Sequence, residues 1–130
     1  MDFLKYIEQQ NHKVEESYIK NKKYLSDYYG YDERFGKAII ALKKFAELLG
    51  IEEPNVFFTP NIFCSSIIYF ETEHKTKEEI LNIVIKEGFK YIDLNTTRFS
   101  CLFDSQYIAV DKNDGVYTRV EIRMPNFENF

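Results

Sequence analysis

The residues best suited to chemistry are the string Glu71-Thr72-Glu73-His74-Lys75. Carboxylates two residues apart with a following lysine can hold Mg²⁺ and polarise an attacking water, the arrangement that hydrolyses a phosphodiester. No aspartate occurs between Asp32 and Asp93 to add a further carboxylate from a preceding segment. The ordinary reading of the same letters is a solvated strand end that leads into a capped helix. His12 and His74 have neither Cys nor His at metal-ligand spacing, so no metal site is expected. The glycines are scattered, and no nucleophile elbow, P-loop or dinucleotide fingerprint is present. No catalytic residue, metal or cofactor is therefore assigned, and the chain is read as a non-enzyme.

Tyrosine is the other informative residue type. Tyr18, Tyr24, Tyr28, Tyr29 and Tyr31 fall close together and run into Asp32 and Glu33. Tyrosine offers a large, stiff contact area with a polar tip at low entropic cost, which suits a docking surface. A heptad reading of the preceding segment assigns Tyr18 and Tyr28 to a packing stripe and leaves Tyr24, Tyr29 and Tyr31 as the more exposed members, at a corner made by Gly30.

These residues must be positioned by a small α+β fold. Apolar residues Leu4, Ile7, Val14, Tyr18, Leu25 and Tyr28 mark a helix from Asp2 to about Tyr28, with Asn11 and Asn21 in its seam. Unbroken, it would run about 39 Å, longer than the roughly 36 Å diameter of a compact chain of this size. It therefore breaks near Gln9 to His12 or leaves an end free for another chain. Asp32 can cap a second helix with the stripe Phe35, Ala38, Ile39, Leu42, Phe45, Ala46, Leu49, ended by Gly50. Pro54 and Pro60 bracket a connection, and Ile62 to Thr72 reads as a buried strand. Thr76-Lys77-Glu78-Glu79 is a capping box for a short helix running to Gly88, apolar on more than one side and so expected to be covered.

A meander follows. Asp104-Ser105 makes a tight turn that sets Cys101 opposite Ile108 and Phe99 opposite Val110. Asn113-Asp114-Gly115 suits a three-residue loop, with five as the other length of the same parity. The three-residue loop places Val110 opposite Thr118 and Ile108 opposite Val120. The opposite face then gathers Arg98, Ser100, Leu102, Tyr107, Ala109, Asp111, Tyr117, Arg119, Glu121 and Arg123, with Arg98 opposite Asp111, Ala109 opposite Arg119 and Tyr107 opposite Glu121. That face is expected outside unless the first helix covers it. The fold class is α+β: two N-terminal helices, then a mainly antiparallel four- to five-stranded sheet with one short capped helix inserted. It forms one domain over 1–130, helical over 1–50 and sheet over 51–130.

The net charge of −4 is divided unevenly: residues 1–50 carry 9 basic and 8 acidic groups, residues 51–130 carry 8 and 13. An acidic sheet half lacks the basic stripe that displaces counterions from phosphate, so direct nucleic-acid binding is not expected. A base-stacking sheet face fails on the same charge and on the missing RNP-type string. No apolar run is long enough to span a membrane. Cys64 and Cys101 sit in apolar runs without a secretory h-region before them and read as free thiols in a reducing cytosol, with a disulfide between them as the lesser alternative.

Two resemblances complete the reading. Glu73-x-Lys75 resembles the Glu-x-Lys half of the PD-(D/E)xK nuclease pattern, which makes a small metal-dependent nuclease or hydrolase the alternative function. In size, acidity, tyrosine content and Lys/Asn/Ile/Tyr-rich usage, the whole chain resembles small phage-encoded anti-defence proteins of the anti-CRISPR type. That likeness implies a non-enzymatic inhibitor that binds a nucleic-acid-processing enzyme, by steric block or by local nucleic-acid mimicry. Mimicry would use Asp27, Asp32 and Glu33, or Glu71, Glu73, Glu78 and Glu79. The partner-binding residues expected are Tyr24, Tyr28, Tyr29, Tyr31, Asp32 and Glu33, with Tyr107, Tyr117, Arg119 and Glu121 on the sheet. The chain is expected to act as a monomer or homodimer, and a self-associating module built on the long helix is the third reading.

Overall fold

The computed structural model describes residues 31–59, 65–112 and 117–124. Its elements are α1 (Tyr31–Leu48), β1 (Phe57–Thr59), β2 (Ser66–Thr72), α2 (Lys77–Glu87), β3 (Tyr91–Asn95), β4 (Arg98–Phe103), β5 (Gln106–Lys112) and β6 (Thr118–Met124). The strands form one antiparallel sheet in the order β1-β2-β6-β5-β4-β3, so the fold is α+β. The expected helix over Asp2 to Tyr28 lies outside the described residues, as do Cys64 and the loop Asn113-Asp114-Gly115.

α1 forms because its apolar residues recur at helical spacing. Phe35, Ala38, Ile39, Leu42, Phe45, Ala46 and Leu49 are all buried, while Ile40 on the other side is half exposed. The helix ends in a Schellman motif. Gly50 takes a left-handed φ of 76°, its N–H donates to the Glu47 carbonyl at 3.0 Å, and the Ile51 N–H donates to the Ala46 carbonyl at 2.8 Å. The start differs from expectation: Asp32 lies inside the first turn of α1 rather than at its N-cap.

α2 forms as its capping box requires. The Glu79 N–H donates to Thr76 Oγ1 at 3.1 Å and the Thr76 N–H donates to Glu79 Oε1 at 3.2 Å, while Gly88 at φ 78° closes the other end. Ile80 and Val84 enter the core and Leu81 and Ile83 pack partly against it, but Ile85 is half exposed, so the helix is covered on fewer sides than its composition suggests.

Both helices pack on one face of the sheet. That face presents Phe58, Ile68, Phe70, Phe99, Cys101, Ile108, Val110, Val120, Ile122 and Met124, which join the helix stripes in one core. Edge-on ring contacts Phe35–Phe58 at 5.4 Å and Phe45–Phe103 at 5.3 Å fix α1 across the sheet, and Phe89–Phe103 at 5.2 Å ties in the end of α2. Two polar bonds join the start of α2 to the sheet end. Lys77 Nζ, nearly fully buried, donates to the Thr96 carbonyl at 3.0 Å, and Thr118 Oγ1 donates to the Lys75 carbonyl at 2.7 Å.

The sheet has six strands, not four or five. β1 is only three residues long between Pro54 and Pro60, too short for its alternation to mark a strand in the letters, and β3 is exposed along its whole length with no inside-outside alternation. The turn at Asp104-Ser105 is as expected, both residues having positive φ as a two-residue hairpin requires. Cys101 faces Ile108, Phe99 faces Val110 and Arg98 faces Asp111. In the next hairpin Lys112 pairs with Thr118 and Val110 with Val120, so five residues separate the strands. The expected pairs Val110–Thr118, Ile108–Val120, Ala109–Arg119 and Tyr107–Glu121 are each displaced by two. A slip of two keeps every side chain on its own face, so hydrophobic pattern cannot detect it.

Candidate functional site

The sheet face away from the helices carries two cross-strand rows. One runs Phe57, Tyr69, Glu121, Ala109, Ser100, Ile92 across all six strands. The other runs Glu71, Arg119, Asp111, Arg98, Asn95 and alternates charge over its first four members. Alternate signs directly opposite one another suit an antiparallel ladder, where like charges destabilise.

The centre of the first row is packed rather than open. Arg119 lies over the Tyr69 ring, with its guanidinium carbon 4.3 Å from the ring centroid, and Nη2 stands 3.6 Å from Glu71 Oε1. Tyr69 in turn meets Phe57 with ring centroids 5.7 Å apart. Glu121 is 4% exposed and Ala109 is 7% exposed, so the expectation of an outward-facing surface fails at its middle. The nearest described cation to Glu121 is Arg123, whose Nε lies 3.6 Å from Oε2. Arg98 Nε, Arg119 Nε and Glu121 Oε2 are buried on this face without a hydrogen-bond partner among the described residues.

Around this centre the face opens. Tyr107 is 64% exposed and Tyr117 is 49% exposed, and Arg123 is exposed as well. Near Tyr107 an open hollow of about 500 Å³ is bordered by Phe89, Lys90, Ile92, Ser100 and Leu102. Sequence reading missed Phe57, Ile67 and Tyr69 as members of this face. β2 alternates buried and half-buried residues, but Ile67 and Tyr69 are themselves apolar or aromatic, so its two sides look alike in the letters.

Of the expected tyrosine corner, Tyr24, Tyr28 and Tyr29 lie outside the described residues, and Tyr31 and Asp32 begin α1. Glu33 is exposed and pairs with Lys37 one turn on at 3.1 Å. The acidic string is dispersed in its roles: Glu71 meets Arg119, Glu79 closes the helix cap, and Glu73 and Glu78 are exposed. Asp93 lies in β3, four strands from β2 in the sheet order, so it is not the missing partner of Glu71, Glu73 and Lys75. His74 is exposed, and its backbone N–H donates to Thr72 Oγ1 at 3.1 Å. Among the described residues no three His, Cys, Asp or Glu side chains are grouped to hold a metal ion. Cys101 is a buried free thiol whose pKa is pushed up by burial from an ordinary 9.0 to about 12, which makes it unreactive. Among the described residues no helix is long and apolar enough to cross a membrane. Comparison of the chain with protein-family models, with curated proteins and with solved structures found no match.

Proposed function

We propose that the chain is a non-enzymatic protein-binding module that inhibits a bacterial nucleic-acid-handling or defence enzyme, such as a CRISPR effector, by steric block. The observation that carries this reading is the sheet face itself: an Arg119–Tyr69 stack at 4.3 Å, held in place by Glu71 and flanked by the exposed rings of Tyr107 and Tyr117. Pre-ordered Tyr and Arg side chains are the residues that dominate protein interfaces, because little entropy is lost when they are covered. Steric block is favoured over mimicry of nucleic acid. Glu71 pairs with Arg119, Glu78 lies 3.9 Å from Lys77 Nζ and Glu79 closes the helix cap, so most of that acidic string is engaged within the fold and is a poor imitation of a phosphate track.

The test uses Tyr107→Ala/Tyr117→Ala, which removes two exposed rings and should leave the fold intact. Purified wild-type chain is added to bacterial lysate, and nucleic-acid cleavage and unwinding activities are measured alongside the identity of captured proteins. The expected result is an enzyme that the wild type captures and inhibits and the double variant does not. Inhibition unchanged by the double variant removes this face as the site, and no inhibited activity in any lysate removes the inhibitor reading.

A further inference from the structure

The two edges of the sheet are treated differently. β1 is three residues long, with Pro54 before it and Pro60 after it, a short and blunted edge of the kind that discourages further pairing. β3 at the other edge has no proline and is exposed from Tyr91 to Asn95, with Tyr91, Ile92 and Leu94 at 46%, 53% and 49%. Among the described residues the principal helix contacts are with β2, β4, β5 and β6 rather than with β3.

The backbone register shows which groups this edge offers. The Leu102 N–H donates to the Lys90 carbonyl at 2.9 Å, and Tyr91 pairs with Cys101, Ile92 with Ser100 and Asp93 with Phe99. In an antiparallel ladder bonded and non-bonded pairs alternate. Lys90 and Ile92 therefore direct their N–H and C=O groups to β4, and Tyr91 and Asp93 direct theirs outward. A β-bulge between Asp93 and Asn95 ends the regular edge there.

We propose that β3 pairs antiparallel with β3 of a second copy, about a two-fold axis at Ile92, to form a continuous sheet across two chains. Of the self-pairings that keep residue faces matched, this one makes the most of the outward groups. Tyr91 of each copy lies opposite Asp93 of the other and exchanges both N–H···O=C bonds with it. Ile92 meets Ile92 of the second copy as the closely approaching, non-bonded pair. Moving the axis to Asp93 sets two carboxylates face to face, and moving it to Tyr91 leaves that residue's bonds as the only exchange within the strand. The pattern Tyr91-Ile92-Asp93 is thus complementary to itself, with an apolar residue on the axis and a phenol facing a carboxylate on either side.

Sedimentation equilibrium of the full chain tests this with three variants. The wild type is expected to reach twice the 15.5 kDa chain mass as concentration rises. Asp93→Pro removes one outward N–H from each copy without touching the bonds to β4, and should weaken dimerisation roughly 30-fold, the loss of two hydrogen bonds. Ile92→Lys and Ile92→Glu, each at a half-exposed position, should be monomers alone and a dimer when mixed. Far-ultraviolet circular dichroism of each variant confirms the sheet is retained. A wild-type chain that stays monomeric at every concentration overturns the proposal and leaves the edge to a strand from another protein. A dimer that survives Asp93→Pro and both charge variants, or a charge pair that fails to associate on mixing, overturns it equally.

Discussion

Arg119 is the residue on which the sheet face turns, and its contribution can be measured by a double-mutant cycle. Its guanidinium sits 4.3 Å from the Tyr69 ring centroid and 3.6 Å from Glu71 Oε1, with about a third of the Arg119 side chain exposed. A half-buried cation over an aromatic face is worth about 1 kcal/mol. The ion pair, too long for a good hydrogen bond and in contact with water, adds about 0.5 kcal/mol. The cycle Arg119→Met, Tyr69→Leu and the double variant should therefore show a coupling near 1 kcal/mol. Tyr69→Leu also loses the Phe57 contact, but that loss is common to both arms and cancels. In urea, with a slope of about 1.5 kcal/mol per molar, the coupling corresponds to a midpoint difference of about 0.7 M. Replacing Tyr69 by Phe keeps the ring and should keep most of the coupling, since the hydroxyl is not part of the stack. A coupling below about 0.3 kcal/mol would show that Arg119 is not pre-ordered by Tyr69, and the reasoning that makes this face a recognition surface would fall with it.

Two further outcomes are expected. Thr76→Ala should cost about 1 kcal/mol by chemical denaturation, because it releases the Glu79 amide from its acceptor, while Thr76→Ser, which keeps the oxygen, should cost much less; equal losses would mean the methyl packing matters and the cap does not. Cys101 should resist thiol reagents at pH 8 until the chain unfolds. Because its folded pKa of about 12 lies above the ordinary 9.0, the unfolded thiol ionises first, so stability should fall as pH rises through that window, and the Cys101→Ala variant should lose this part of the slope. Rapid labelling of the native chain would contradict the burial.

What was legible in the sequence follows from the range of the interactions involved. The stripe from Phe35 to Leu49, the Thr76/Glu79 box, the glycine caps at Gly50 and Gly88 and the Asp104-Ser105 turn are each fixed within a few residues, by backbone dihedrals and periodicity. The same local turn gave the β4–β5 register, and with it Arg98 opposite Asp111. The candidate site was only partly legible. Tyr107 and Tyr117 were expected to be exposed and are, whereas Glu121 is buried and Tyr69 was not anticipated as the partner of Arg119.

These errors share a cause, which is that strand order and register across long connections are set by which faces meet in three dimensions. β2 lies beside β6, its neighbour in space though not in sequence, and only that pairing brings Tyr69 and Glu71 to Arg119. The β5–β6 register slipped by two residues with no change in the inside-outside pattern, so composition could not register it. The sequence alone determined an α+β chain, the buried stripe of α1 and the pairing of β4 with β5. The tertiary structure decided which polar residues are covered and which strand is left at an open edge. Local patterns record what each residue prefers, and burial depends on neighbours brought from far along the chain.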